Sequence, residues 1–272
     1  MPSLANSHSQ KPSHAHKSII DIFKPEFNHY NGPCQHKYLP NPKEPMSQFF
    51  QIHPESPQPR LIKQAAEIIQ NGGVVVYPTD CAYAIACHLG DKKAVDRIKQ
   101  IRQLDDKHHL TLVCEDLSQI ATYAKVDNEA YRILKSHTPG AYTFILKASK
   151  EVPKKLLHPK KKTIGLRVPD NAIALALLKE LGEPMLSSSL ILPNEDTPLT
   201  DPYDIRATLE QSLDLIIDGG YCGMEVTSLV SLVDGEVEVL RQGMGDTAAF
   251  QWAPASKFPN RHQPQMLPLT SV

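Results

Sequence analysis

Apolar and polar positions along the chain switch repeatedly between a helical and a strand rhythm. Leu61, Ile62, Ala65, Ala66, Ile68 and Ile69 recur at helical spacing behind Pro59, which suits a first helical turn, and Asn71-Gly72-Gly73 ends that stretch. Val74-Val75-Val76-Tyr77 follows as a continuous apolar run, the mark of a buried strand. Asp91 stands ahead of Val95, Ile98 and Ile101 as a helix cap, and Asp116 and Asp127 are placed to cap two more helices. Leu110–Cys114, Tyr142–Lys147, Thr163–Val168, Met185–Ser189 and Leu213–Asp218 read as strands. Asp170 opens a predicted helix over Ala172–Leu181, stopped by Gly182, and a further helix falls near Pro202–Gln211. Ser228–Val233, an Asp234-Gly235 turn and Glu236–Arg241 form a hairpin. Alternating helices and strands favour parallel pairing, whereas the hairpin is antiparallel. The prediction is one α/β domain with a mixed sheet over residues 46–246.

Composition changes this picture mainly at the ends. The first 45 residues hold 7 of the 23 prolines and 5 of the 12 histidines, without a sustained apolar period. Such a stretch cannot bury enough surface to offset its ordering entropy, so residues 1–45 are expected to be disordered. It has no apolar signal-peptide core and no Arg, which argues against a mitochondrial presequence. Residues 247–272, with four prolines, read as a second disordered tail. The longest apolar run is about seven residues, against the ~20 of a membrane-spanning helix, so no membrane partner is expected. Five cysteines without a CxxC pair fit neither a disulfide scaffold nor a zinc ribbon, and a cytoplasmic setting is expected.

Three loops carry polar residues at strand ends. Tyr77-Pro78-Thr79-Asp80 places Thr79 and Asp80 at a carboxyl strand edge, where open α/β sheets gather ligands; alone it also reads as an ordinary turn. Thr138-Pro139-Gly140 with Thr143 lets backbone amides approach an anion. Ser187-Ser188-Ser189 puts hydroxyls on both faces of a strand, with no neighbouring His and no GxSxG elbow for nucleophilic catalysis. Residues 46–246 carry 22 basic and 27 acidic side chains, a net −5, yet Lys147, Lys150, Lys154, Lys155, Lys160, Lys161, Lys162 and Arg167 cluster against Glu151 alone. That run is either a solvated surface or a local phosphate-binding face. Arg102, Lys107 and Arg241 each lie at the end of an element, with the longest reach into a cleft.

Taken in order, Gly72-Gly73, Tyr77-Pro78-Thr79-Asp80, Ile101-Arg102, Thr138-Pro139-Gly140 with Thr143, Gly165 to Pro169 around Arg167, Met185 to Ser189, Asp214 to Gly220, Ser228 and Val239 to Gly243 around Arg241 resemble the YrdC/YciO family, the L-threonylcarbamoyladenylate synthases. The likeness is nearest to the YciO branch. It implies a YrdC-like twisted, mixed parallel and antiparallel sheet with flanking helices around a large basic cavity. It also implies a reaction in which L-threonine, bicarbonate and ATP, the last with Mg²⁺, give threonylcarbamoyl-AMP and pyrophosphate. The carbamoyl group would then pass, with tRNA-modification proteins, to an adenosine of tRNA. No tightly bound cofactor is expected. Carried over by position, Arg102 and Lys107 are the catalytic cations. Thr79, Tyr83, Arg167 and Ser187 border the threonine, and Thr143, Ser189 and Arg241 hold the nucleotide. Two positions depart from the synthase pattern. Gln100 replaces the first Lys of Lys-x-Arg, and Ile191 replaces the Asn of Ser-x-Asn, so weak activity is expected. The other expectation is a non-catalytic protein that binds double-stranded RNA or nucleotides, with Lys160, Lys161 and Lys162 on the RNA.

Overall fold

The computed structural model describes residues 46–105, 110–158 and 160–251. The expected disorder of residues 1–45, most of the predicted C-terminal tail and Lys107 lie outside these residues. The strands are β1 (Gln48–Gln51), β2 (Val75–Tyr77), β3 (Ala84–His88), β4 (Thr111–Val113), β5 (Tyr142–Lys147), β6 (Thr163–Arg167), β7 (Met185–Ser189), β8 (Leu215–Asp218), β9 (Ser228–Val233) and β10 (Glu236–Arg241). They form one sheet in the order β1-β8-β2-β3-β7-β4-β6-β5-β9-β10. β1–β8, β8–β2, β4–β6 and β5–β9 pair in parallel and the other neighbours antiparallel, so the sheet is mixed as the sequence pattern predicts.

The helices are α1 (Pro59–Gln70), α2 (Lys92–Arg102), α3 (Leu117–Tyr123), α4 (Asn128–His137), α5 (Ala172–Leu181), α6 (Pro202–Leu209) and α7 (Ala248–Gln251). Four start where an aspartate offers an acceptor to open backbone amides: Asp91 to Ala94, Asp116 to Gln119, Asp127 to Glu129 and Ala130, and Asp201 to Tyr203. At α5 the cap is Asn171 rather than Asp170, because the Asn171 side chain accepts from the Ala174 amide. Two strands, β1 and β3, escape the sequence pattern. The tail predicted from residue 247 also begins too early. Thr247 and Phe250 are buried, and the Phe250 ring lies 4.7 Å from that of His137 and 6.0 Å from that of Tyr142, which fixes α7 on the sheet.

Helices cover both faces of the sheet. On one face, Ile62, Ala65, Ala66 and Ile69 of α1 and Ile173, Leu177 and Leu178 of α5 pack on Val75, Tyr77, Ala86, Met185 and Leu215. On the other, residues of α2, α3, α4, α6 and α7 pack on Val76, Ile85, Leu112, Phe144, Leu166, Leu186 and Ile216. No helix of the described residues is long and apolar enough to cross a membrane.

Candidate active site

Strand alternation builds the site. Paired positions across β7, β4, β6 and β5 point to the same side, so Leu186, Leu112, Leu166 and Phe144 form one buried apolar row. Their sequence neighbours point the other way, and those are small or polar: Ser187, Thr111, Gly165 and Thr143. Thr111 stands opposite both Ser187 and Gly165. This face is the one that α1 and α5 cover, but those helices stop short of this half. A pocket of about 260 Å³ opens there. Gly165 deepens its floor, since a Cβ there would meet Thr111 Oγ1 at 3.3 Å and Thr143 Cγ2 at 3.4 Å.

The loop after β2 forms one wall. Thr79 Oγ1 donates to the Ala82 carbonyl at 2.7 Å and accepts from the amides of Cys81 and Ala82, closing a tight turn. That turn holds Asp80 against Arg167, with a charge-assisted hydrogen bond between Arg167 Nη2 and Asp80 Oδ1. Both side chains are about nine-tenths buried, at 9 % and 11 % exposure. Arg167 Nε is buried without a partner, an open donor on a residue that lines the pocket. Burial pushes the Cys81 thiol up to about 11, although the Arg167 charge pulls the other way, so this pocket-lining thiol stays protonated at neutral pH. Beneath, Tyr77 Oη and Ser187 Oγ lie 3.0 Å apart, and Ser187 also donates to the Ile85 carbonyl.

Two further arginines enter from the ends of their elements. Arg102, the last residue of α2, donates from Nε to the Ile191 carbonyl at 2.9 Å and from Nη1 to Ser188 Oγ, which ties the helix end to the end of β7. Its burial lowers its pKa, through desolvation of the charged form. Arg241 ends β10 and donates to the Thr227 carbonyl from Nε at 3.2 Å and Nη2 at 2.9 Å. Thr227 Oγ1 lies 2.8 Å from Thr143 Oγ1, so one threonine braces a cation and a hydroxyl of the pocket. Arg241 faces the pocket because the β9–β10 register slips. Val239 pairs with Val230, but Arg241, not Leu240, pairs with Leu229. Val230 belongs to the far core and Leu229 lines the pocket, so this bulge at Leu240 turns the arginine inward.

Thr79, Arg102, Thr143, Arg167, Ser187, Ser189 and Arg241 therefore line one pocket, drawn from segments up to 162 positions apart in sequence. Ile191 lines it too, and an alkyl wall stands where the resemblance would place an amide. Tyr83 does not join them. It precedes Ala84, which faces the pocket, so alternation buries Tyr83 in the opposite core, where its hydroxyl donates to the Gly220 carbonyl at 2.6 Å and accepts from the Gly219 amide. Gln100 is exposed and outside the pocket. Lys160, Lys161 and Lys162 form an exposed turn ahead of β6, fixed by Lys160 and Lys161 amides donating to His158 Nδ1, and lie apart from the pocket. Thr111 and Thr227 are hydroxyl-bearing pocket residues that sequence reading does not single out. Among the described residues no group of His, Cys, Asp and Glu side chains gathers in a way that could hold a metal ion.

A ten-stranded mixed sheet with a polar, arginine-lined hollow at its uncovered half defines a protein of the Sua5/YciO/YrdC type. The Sua5_yciO_yrdC family model, described as telomere recombination, matches residues 67–243, and the chain belongs to this family. It is 56 % identical over 205 residues to the Escherichia coli protein called uncharacterized protein YciO, covering 75 % of this chain and all of that one. The crystal structure of E. coli YciO superposes with a TM-score of 0.73 over the same shares. A threonylcarbamoyl-AMP synthase of Bacillus subtilis is 28 % identical over 187 residues, which are 68 % of this chain and 54 % of that one. A Sua5 of P. abyssi, crystallised with L-threonine, shares the fold with a TM-score of 0.67 at 24 % identity, over 72 % of this chain and 58 % of that one.

Proposed function

We propose that the pocket makes threonylcarbamoyl-AMP. The observation that carries this reading is the convergence of Arg102, Arg167 and Arg241 with the hydroxyls of Thr79, Thr143, Ser187 and Ser189 in one hollow. The distant synthase of B. subtilis supports the choice of reaction. In it, the amine of L-threonine bonds to the carbon of bicarbonate with loss of water, giving a carbamate. A carbamate oxygen then attacks the α-phosphorus of ATP, the bond to the β-phosphate oxygen breaks, and pyrophosphate leaves. ATP enters as its magnesium complex, so the ion belongs to the substrate.

The chemistry asks mainly for positioning and charge. The open Nε of Arg167 donates to the threonine carboxylate, while Asp80 keeps the guanidinium in place. Arg102 is pre-set by Ser188 and the Ile191 carbonyl to face charge growing at the α-phosphate. Arg241, braced by Thr227, takes the departing phosphates. Thr143 and Ser189 bond the nucleotide. Lys107 is a second catalytic cation in this scheme. The product then gives its threonylcarbamoyl group to the amine of an adenosine of tRNA, together with tRNA-modification proteins, and AMP leaves.

The test is pyrophosphate release by the purified protein. Release should require ATP, L-threonine and bicarbonate together, with threonylcarbamoyl-AMP seen by mass spectrometry. Arg102→Ala should lower the rate roughly 100-fold or more, as expected for removing a preorganised donor at developing charge. Absence of threonine-dependent product at high enzyme concentration would overturn the proposal.

A further inference from the structure

The hydroxyls of the pocket differ in what they have left to offer a ligand. Thr79 Oγ1 donates to the Ala82 carbonyl and accepts from two amides, so it is fully occupied. Ser187 donates to the Ile85 carbonyl at 3.1 Å and lies 3.0 Å from Tyr77 Oη. Ser188 accepts from Arg102, and Thr143 and Thr227 bond each other. Thr111 and Ser189 have no side-chain partner among the described residues. Ser189 is the last residue of β7, whereas Thr111 stands on the floor of the hollow. A hydroxyl held on a strand and open to a pocket can both donate and accept there.

Thr111 opens β4, opposite Ser187 of β7 on one side and Gly165 of β6 on the other. Gly165 leaves a notch beside it. A Cβ at that position would come to 3.3 Å from Thr111 Oγ1 and 3.4 Å from Thr143 Cγ2, so the glycine keeps clear the space next to the open hydroxyl. The notch therefore lies between Ser187, at the threonine end of the pocket, and Thr143, at its nucleotide end. Arg102, Arg167 and Arg241 line the hollow, and no Asp or Glu lines it among the described residues, so its field favours an anion.

We propose that this notch is the bicarbonate subsite, with Thr111 Oγ1 donating to one bicarbonate oxygen. The assignment rests on the threonylcarbamoyl-AMP reading above. In that reaction bicarbonate has to touch both other substrates. Its carbon bonds to the threonine nitrogen while a C–OH bond breaks, and the hydroxyl leaves as water with the amine proton. One oxygen of the resulting carbamate then attacks the α-phosphorus. A flat anion of three oxygens, standing over a glycine between the other two ligands, meets both demands. Thr111 holds the oxygen that becomes the carbonyl and leaves the other free to reach phosphorus. Gly165 acts by leaving room, because any side chain there would take the place of the anion.

Carbon-13 NMR of labelled bicarbonate, read with the full chain and without ATP, tests the notch separately from the reaction. The bicarbonate line should broaden with the wild-type protein and with Thr111→Ser, which keeps the hydroxyl. Thr111→Val keeps the shape without the hydroxyl and should weaken binding about tenfold, the worth of one hydrogen bond. Gly165→Ala, which fills the notch, should remove the broadening. In turnover, Thr111→Val should raise KM for bicarbonate by the same factor and leave KM for ATP and L-threonine within about twofold. Circular dichroism reports whether each variant folds. A wild-type protein that leaves the line sharp, or equal binding by Thr111→Val and Gly165→Ala, would overturn the subsite, as would an equal rise in all three KM values. Bicarbonate binding that depends on Thr111, with no threonine-dependent product, would keep the subsite and reject the synthase reading instead.

Discussion

Met185 and Ser187 stand two residues apart on β7 and point to the same side of the sheet, yet they belong to different worlds. Met185 lies in the half that α1 and α5 cover, against Val113 and the α5 leucines. Ser187 lies in the half they leave open, with Thr111 beside it and Arg167 within the same hollow. One half of a single face is a dry core and the other a polar pocket, built from the same strands and the same alternation. The difference is coverage and side-chain size. Where a helix closes the face, large apolar residues are favoured. Where none does, small hydroxyls and a glycine leave room, and charge can be kept if each charged group finds a partner.

The strongest way to break this contrast is to unpair the charge. Asp80→Asn leaves Arg167 buried without its counter-charge and should cost roughly 3–5 kcal/mol of stability in denaturant melts. An unchanged midpoint would show that the open half tolerates a lone cation. Next in size is a direct comparison of the halves. Leu177→Ala, in the fully buried contact of α5, should cost about 2–5 kcal/mol, whereas Thr111→Ala on the pocket floor should cost less than about 1 kcal/mol. Equal losses would mean that the pocket is packed like the core. The smallest effect sharpens the chemistry. Ile191→Asn offers a hydrogen-bonding amide in place of an alkyl wall, and calorimetry should find ATP and L-threonine bound together about tenfold more tightly, the worth of one new hydrogen bond at ~1.4 kcal/mol.

The open half also explains which parts of the molecule could be read in advance. Runs such as Tyr142–Lys147, Met185–Ser189 and the hairpin strands match their observed ends because period-two alternation is a local signal. β1 and β3 are harder. Gln48–Gln51 has only Phe49 and Phe50 between polar ends, and Ala84–His88 follows directly on a loop that is itself buried. The residues that line the pocket were named through loops and element ends, but their bracing was not. Thr227 meets Thr143 across 84 residues, and Ser188 meets Arg102 across 86, through strand pairings that no local pattern encodes. Tyr83 shows the reverse error. It sits in the right loop, yet strand parity sends it to the wrong face, and parity is legible only once the start of β3 is known.

The extra residue in β10 acts as a one-position dial. Evening out this ladder with Leu240 kept would set Leu240 opposite Leu229 and rotate the guanidinium of its neighbour to the helix-packed side, without changing the identity of any functional residue. A chain that pairs evenly here, with the same residues, would lose pocket charge while its motif looks the same on paper. The bulge at Leu240, as much as the arginine itself, decides whether the hollow has a cation on this wall.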